Sequence, residues 1–358
     1  MSLDHAPQLS RTLAQRRYAH SVAFLQARDT NFDKMLGVVA REVAGLQHML
    51  LTSSAVHGLA NATSDIDTIC VVDGDDLTAR TATQFFDGGN HFETILFSKN
   101  EVARELQRLE QAAAGSAAQT FAAYMAWNKN GPMNRKYLER LVNGVTSDGK
   151  SPYLEHVTAL GPVWRAASLG QAIMSVGCMN LAVTAGRGQA ALGYAVNAIL
   201  FAMDAVMSHH GQVYSNKKWY RLRFARFVAE DSCVPACRPF VAQLVTHWDD
   251  AVLALRDGHV PDQMFAGIFD TVAGLDVAMG TAMQQGAAWA QAEGACTKRF
   301  LPQAFAQVLA PGTVQVLGAA PHSVRIGDEH ALTEKEAHTA LQAIRGGAMS
   351  ITFADRGE

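Results

Sequence analysis

The 358-residue chain is poor in charge: Asp, Glu, Lys and Arg make up 18% of it, and the formal net charge is only −3. With no global basic field, it lacks the electrostatic basis for adhesion to nucleic acid by counterion release or for polybasic attachment to an anionic membrane. A local basic groove is still compatible with this composition. Cysteine is scarce and scattered, at Cys70, Cys178, Cys233, Cys237 and Cys296, and only Cys233 and Cys237 are neighbours. Zinc sites gather clustered pairs of ligands, so buried or free thiols in a reducing compartment are expected. No apolar run approaches the roughly 18 residues of a membrane span. The opening MSLDHAPQLSRTLAQRRYAH has an Arg pair without the apolar core of a signal peptide. The expectation is a cytoplasmic protein without a membrane partner. Several catalytic signatures are also missing: no phosphate-binding G-x4-G-K-[ST], no G-x-S-x-G elbow, and no H-E-x2-H among thirteen histidines. Gly186-Arg187-Gly188 lacks the third glycine of a dinucleotide fingerprint.

Apolar residues reach 49%, which permits sizeable cores, and the length suggests two domains. The most informative stretch is 49–73. Met49 to Leu51 run into a small-residue turn, Thr52-Ser53-Ser54, then a loop through Gly58, then Asp65-Ile66-Asp67 and a β-branched run ending at Val72. Residues i and i+2 of a strand share a face, so Asp65 and Asp67 project together. Carboxylates held this close repel each other, and a hard divalent cation with oxygen ligands resolves that repulsion. A solvated strand edge or an Asx turn is the competing explanation, against which Ile66, Ile69, Val71 and Val72 argue for a buried strand.

The same residues resemble the signature of the polymerase-β-like nucleotidyltransferase superfamily, roughly G-S-x3-G-x-A-x3-S-D-[IL]-D. Ser53-Ser54 stand at the Gly-Ser positions, Gly58 and Ala60 fall in register, and Ser64-Asp65-Ile66-Asp67 aligns without a gap. Ser53 departs from the usual glycine, which is favoured where backbone approaches a phosphate. The resemblance implies that Asp65 and Asp67 bind Mg2+, with two ions possible, and that Ser53, Ser54 and Ser64 line the nucleotide. It also implies a third carboxylate on a following strand. Glu93, in His91-Phe92-Glu93-Thr94-Ile95-Leu96-Phe97-Ser98, is the candidate, with a solvent-facing Glu93 as the alternative.

Patterning fills in the rest. Helices are expected at 8–28, at 32–47 with Asn31 as cap, at 77–86 after a turn in which Asp75 or Asp76 caps, and at 99–112 with Asn100 as cap. The small-residue stretch Gln111 to Gln119 suggests a boundary. The expected plan is α+β: a nucleotidyltransferase domain at 1–115, a mainly helical bundle at 116–300, and a small α/β tail at 301–358. In the tail, strands are expected near 313–317 and 348–353, with a helix at 333–344. In the helix at 189–207, Tyr194, Asn197, Phe201 and Asp204 share a face. The doublet His209-His210 at its end suits a favourable charge position. By looser resemblance to the helical domain of small-molecule nucleotidyltransferases, Asp204 would be general base in the cleft, and Lys218, or its neighbour Lys217, would reach the phosphates. The competing role for Asp204 is an ion pair with Arg221 or Lys218.

Together these imply a Mg-dependent enzyme moving an NMP, with AMP the expected group, from an NTP to a small-molecule acceptor and releasing pyrophosphate. A homodimer is a further expectation, because such members often place the cleft near a dimer interface. Two alternatives remain: a catalytically silent nucleotide-binding module of the same fold, and a transferase acting on a protein or RNA end, the RNA case weakened by the acidic balance.

Overall fold

The computed structural model describes residues 6–74, 83–127, 133–230, 233–258, 261, 263–281, 314–317, 323–326 and 333–345. The elements are α1 (Ala6–Gln26), α2 (Phe32–Glu42), β1 (Leu46–Leu51), β2 (Ile66–Val72), β3 (Thr83–Asp87), β4 (Asn90–Ser98), α3 (Lys99–Ala113), α4 (Ala117–Ala126) and α5 (Arg135–Asn143). They continue with α6 (Val157–Thr184), α7 (Gly188–His209), α8 (Tyr220–Ala229), α9 (Arg238–Asp257), α10 (Met264–Ala278), β5 (Val314–Leu317), β6 (Ser323–Ile326) and α11 (Glu334–Arg345). The fold is α+β, a small mixed sheet followed by helices, as the sequence implied.

The chain forms two units, and the path between them is not a single crossing near residue 115. The first takes the residues up to Ala114, Ala123–Val163 and Gly211–Asn216; the second takes Gly115–Ala122, Trp164–His210 and the chain from Lys217 onward. In the second unit α11 places Ala337 and Leu341 in the main helical core.

The first unit is built on a four-stranded sheet of order β1-β2-β4-β3. β2 and β4 are parallel, and the outer pairs are antiparallel. Alternation sorts the strand residues between two faces. On one face Met49, Leu51, Ile66, Cys70, Val72 and Phe92 pack with Phe24, Leu25, Phe32, Met35 and Val39 of α1 and α2. The β2–β4 register sets Asp67, Ile69 and Val71 beside Glu93, Ile95 and Phe97 on the other. There Phe97 meets Tyr137 of α5 at 5.9 Å. A strand buried on both faces reads as a continuous apolar run, which explains Ile69 to Val72.

Local signals account for where the expected elements changed. Asn31 caps α2, accepting from the Lys34 amide, but the helix stops at Glu42 instead of Gln47. Gly45 has φ +68°, and Leu46 is claimed by pairing with Val72. The helix expected over 77–86 is a strand over its last part, β3, while 77–82, Asp75 and Asp76 lie outside the described residues. Gly88 and Gly89 both have positive φ, so β3 and β4 join through a two-residue turn whose twist suits a hairpin. The cap of α3 is Ser98, not Asn100: its hydroxyl accepts from the Glu101 amide, and Glu101 accepts from the Ser98 amide. β5 and α11 form near their expected positions, β6 joins β5 antiparallel, and 348–353 lies outside the described residues.

The second unit packs α7 to α10 with much of α6 around Leu169, Ile173, Val176, Ile199, Met203, Phe224 and Phe269. Two helical stretches, Leu154–Thr184 and Gly188–His209, are long and apolar enough to cross a membrane, contrary to the sequence expectation. The chain's own packing buries 83% and 61% of their apolar windows, as suits core helices. Cys70, Cys178, Cys233 and Cys237 are buried free thiols; Cys296 lies outside the described residues.

Candidate active site

The site in the first unit starts from the β1–β2 pairing. Past Leu51, the Thr52 amide and hydroxyl both donate to the Asp67 carbonyl, at 2.9 and 3.1 Å. This double clamp fixes the turn beside the aspartate. The next residue, Ser53, takes φ +63°, a left-handed conformation costly for any residue with a Cβ. Ser53 therefore adopts the backbone shape that glycine supplies in the resembled motif. Leu59 closes the loop by donating to the Ser54 carbonyl at 2.9 Å. Gly58 has φ +63°, and a Cβ there would lie 2.9 Å from the His20 ring, so both backbone and space require glycine.

The carboxylates lie on one side of the sheet. Asp67 of β2 is directly beside Glu93 of β4 in the parallel register, at the usual strand spacing of about 4.8 Å. Asp65 precedes β2, is exposed, and contacts His91 Nδ1 through Oδ1 at 2.8 Å. The Tyr137 phenol feels two of them: burial raises its pKa, with Glu93 and Asp67 adding to the rise and Arg140 opposing it. Ser64 is held in its own loop, where its hydroxyl donates to Asn61 Oδ1 and accepts from the Asn61 amide.

A guanidinium that sequence patterning passed over completes the site. Arg140 of α5 donates from Nη1 to Asp67 Oδ1 at 3.1 Å and from Nη2 to Ser53 Oγ at 3.0 Å. Ser53 also hydrogen bonds to Tyr214, whose phenol is raised by burial. Tyr214 stacks on His57 at 4.4 Å, and His57 Nε2 lies 3.6 Å from Glu139 Oε1. Glu139, fully buried, accepts from Asn143 at 2.8 Å. Burial alone would raise its carboxyl, but His57, Asn143 and Arg140 hold it below the ordinary carboxylate value. A buried charge survives only when paired and hydrogen bonded, and this network does both for Glu139. No spacing rule links Arg140, Glu139, Tyr214 and Asp67, and the burial of Glu139, Arg140 and Asn143 on α5 is visible only in the fold.

The donor set of Asp65, Asp67 and Glu93 has the chemistry of a site for a hard divalent ion. Asp67 and Asp65 are, however, engaged by Arg140 and His91, and among the described residues no three His, Cys, Asp or Glu side chains are gathered to hold a metal. The donor set therefore fits the ion in chemistry, and holding it requires these pairs to open.

The remaining expected residues belong to the second unit. Asp204 is 1% exposed; it accepts from Arg223 Nη1 at 3.1 Å and from the Ser168 hydroxyl at 2.6 Å. Burial raises its pKa, and Arg223 and Ser168 oppose the rise. This is the setting of a structural ion pair, with Arg223 as partner in place of Arg221 or Lys218, and not that of a solvent-facing base. Lys217 and Lys218 form an exposed 3-10 turn with Trp219, their amines 3.9 Å from the Phe201 ring centre and 5.1 Å from that of Trp219. His209 and His210 are not a charged C-terminal pair. Burial lowers both, His209 to about 4 with help from Arg165, whose Nη1 donates to His209 Nδ1 at 3.0 Å.

Residues 9–355 match a family described as a family of unknown function, DUF6001. No curated protein matches the chain. Among solved structures, that of a nucleotidyltransferase-like protein from Exiguobacterium sibiricum 255-15 aligns with 72% of this chain and 76% of its own, at 10% identity and a TM-score of 0.29.

Proposed function

This chain belongs to the DUF6001 family, and from its carboxylate site we propose that it is a nucleotidyltransferase. The reaction proposed is transfer of an NMP, AMP the expected group, from an NTP to a small-molecule acceptor with release of pyrophosphate. One observation carries the reading: the sheet register sets Glu93 beside Asp67, with Asp65 two residues before it and the left-handed Ser53 turn clamped to the same strand. Three carboxylates next to a strained phosphate-type turn form an arrangement that a merely structural strand edge has no need of.

In this reading Asp65, Asp67 and Glu93 hold Mg2+. Held there, the ion would supply Lewis-acid polarisation of the phosphoryl group and charge neutralisation for the leaving pyrophosphate. The Ser53-Ser54 turn orients the terminal phosphates with its amides and hydroxyls. Glu93 accepts the acceptor's proton, since Asp204 is committed to Arg223. Phosphoryl transfer needs little covalent help, so positioning and electrostatics supply most of the rate.

A second reading, a catalytically silent NTP-binding module, draws on the Arg140–Asp67 pair and on serine at position 53. Pyrophosphate release separates the two. Protein, each NTP with Mg2+, and pooled hydroxyl, amine and carboxylate acceptors are incubated beside an Asp65→Ala/Asp67→Ala control. Release above the control supports the enzyme. NTP binding without release leaves the silent module, and absence of both defeats the two readings together.

A further inference from the structure

We propose that Arg140 is the protein's own cation at the carboxylate motif, a nucleotide-phosphate ligand that occupies Asp67 until a triphosphate draws it away. The proposal rests on the nucleotide reading above and adds a residue and a binding order to it. Nη1 and Nη2 span two parts of the site that are far apart in sequence: the metal-type carboxylate Asp67 at 3.1 Å and the phosphate-turn hydroxyl of Ser53 at 3.0 Å. The Arg140 side chain is only 10% exposed and that of Asp67 13%, so the contact is largely withdrawn from water and correspondingly strong.

The guanidinium is not saturated. It carries five N–H donors in a fixed fork that matches phosphate, and among the described residues only Asp67 and Ser53 accept from it. A phosphate oxygen at the Ser53 turn therefore finds unused donors on the same group that neutralises Asp67. A charge-assisted fork to phosphate is stronger than a single contact to a carboxylate. Occupation of the turn by a triphosphate thus releases Asp67 for a divalent ion. Arg140 and a divalent ion at Asp67 are like charges held close together, so a divalent ion arriving without nucleotide binds more weakly while the guanidinium is in place. The consequence is positive coupling between cation and nucleotide, reciprocal by thermodynamic necessity.

Mn2+, followed by the EPR signal of the free ion, serves as the probe for nucleotide-free protein. Wild type is compared with Arg140→Met, which keeps the stem's packing without the charge; circular dichroism checks folding. Arg140→Met is expected to bind Mn2+ about tenfold more tightly than wild type without nucleotide. Should Arg140→Met fail to fold, Arg140→Lys takes its place; it keeps a charge, cannot span both acceptors, and is expected to tighten Mn2+ binding several-fold. Equal Mn2+ affinity in wild type and the folded variant overturns the proposal. ATP binding is measured separately. Weaker ATP binding in the variant supports the phosphate role, and unchanged ATP affinity overturns that role. If wild type binds Mn2+ more weakly than the variant but binds no NTP, the guarding of Asp67 stands, and the phosphate role of Arg140 fails together with the nucleotide reading on which it rests.

Discussion

The Ser53 turn permits a test in which two small substitutions should rank against the usual expectation. Ser53 has φ +63°, and its hydroxyl accepts from Arg140 at 3.0 Å. Ser53→Ala keeps the left-handed strain and strands a guanidinium donor, a loss of about 2 kcal/mol for a hydrogen bond to a charged group. Ser53→Gly loses the same bond but relieves about 1–2 kcal/mol of left-handed cost, less about 0.5–1 kcal/mol for glycine's extra freedom when unfolded. Alanine should thus be about 2–3 kcal/mol less stable than wild type, and glycine only about 1–2 kcal/mol less. At most loop positions glycine is the more destabilising of the two. Urea unfolding followed by far-ultraviolet circular dichroism measures the ranking, given equal slopes. An alanine midpoint equal to or above the glycine midpoint would refute the left-handed turn at 53, and with it the phosphate-turn geometry.

Other outcomes follow from the same structure. Gly58→Ala should destabilise the first unit by more than about 1 kcal/mol, because positive φ is combined with a 2.9 Å approach to His20; a neutral effect on thermal unfolding would contradict the packing described. Asp204→Ala should cost about 3–5 kcal/mol by leaving Arg223 buried and unpaired, and Asp204→Ala/Arg223→Met should recover part of it. Equal losses in the single and double variants would show that the pair is not the reason. His209 is lowered from 6.5 to about 4 by burial, Arg165 and His210, so the unfolded chain binds a proton that the folded one refuses. The stability it contributes is present above about pH 6.5 and is lost as pH falls toward 4. Melting temperatures across that window should fall less steeply in His209→Asn than in wild type, and parallel slopes would remove His209 from the account.

What could be read from the sequence follows from how local each determinant is. β2 and its aspartates were legible because the β-branched run and the carboxylate spacing lie within a few residues. Glu93 was legible as the one acid of an alternating strand, and the register with Asp67 gives it a neighbour. β3 was misread because Thr83 to Asp87 is an edge strand defined by pairing to β4 and by a Gly88-Gly89 turn, so periodicity within the segment says little. The end of α2 was overshot because Leu46 is claimed by a strand more than twenty positions later. Arg140 was invisible for the same reason in stronger form: 73 residues separate it from Asp67 and 87 from Ser53. Asp204 was correctly seen to need a partner, but which arginine of the following basic segment supplies it depends on how α8 packs against α7.

The central claim, that Asp65, Asp67 and Glu93 form a nucleotide site, is met most directly by isothermal titration of NTP with Mg2+ into wild type, Asp65→Asn and Glu93→Gln. Wild type should bind saturably and only with Mg2+, and each variant should bind at least about tenfold more weakly, since a direct ligand matters no less than the outer-shell partners whose loss costs that much. Binding of equal strength in all three proteins, or binding indifferent to Mg2+, would contradict the claim.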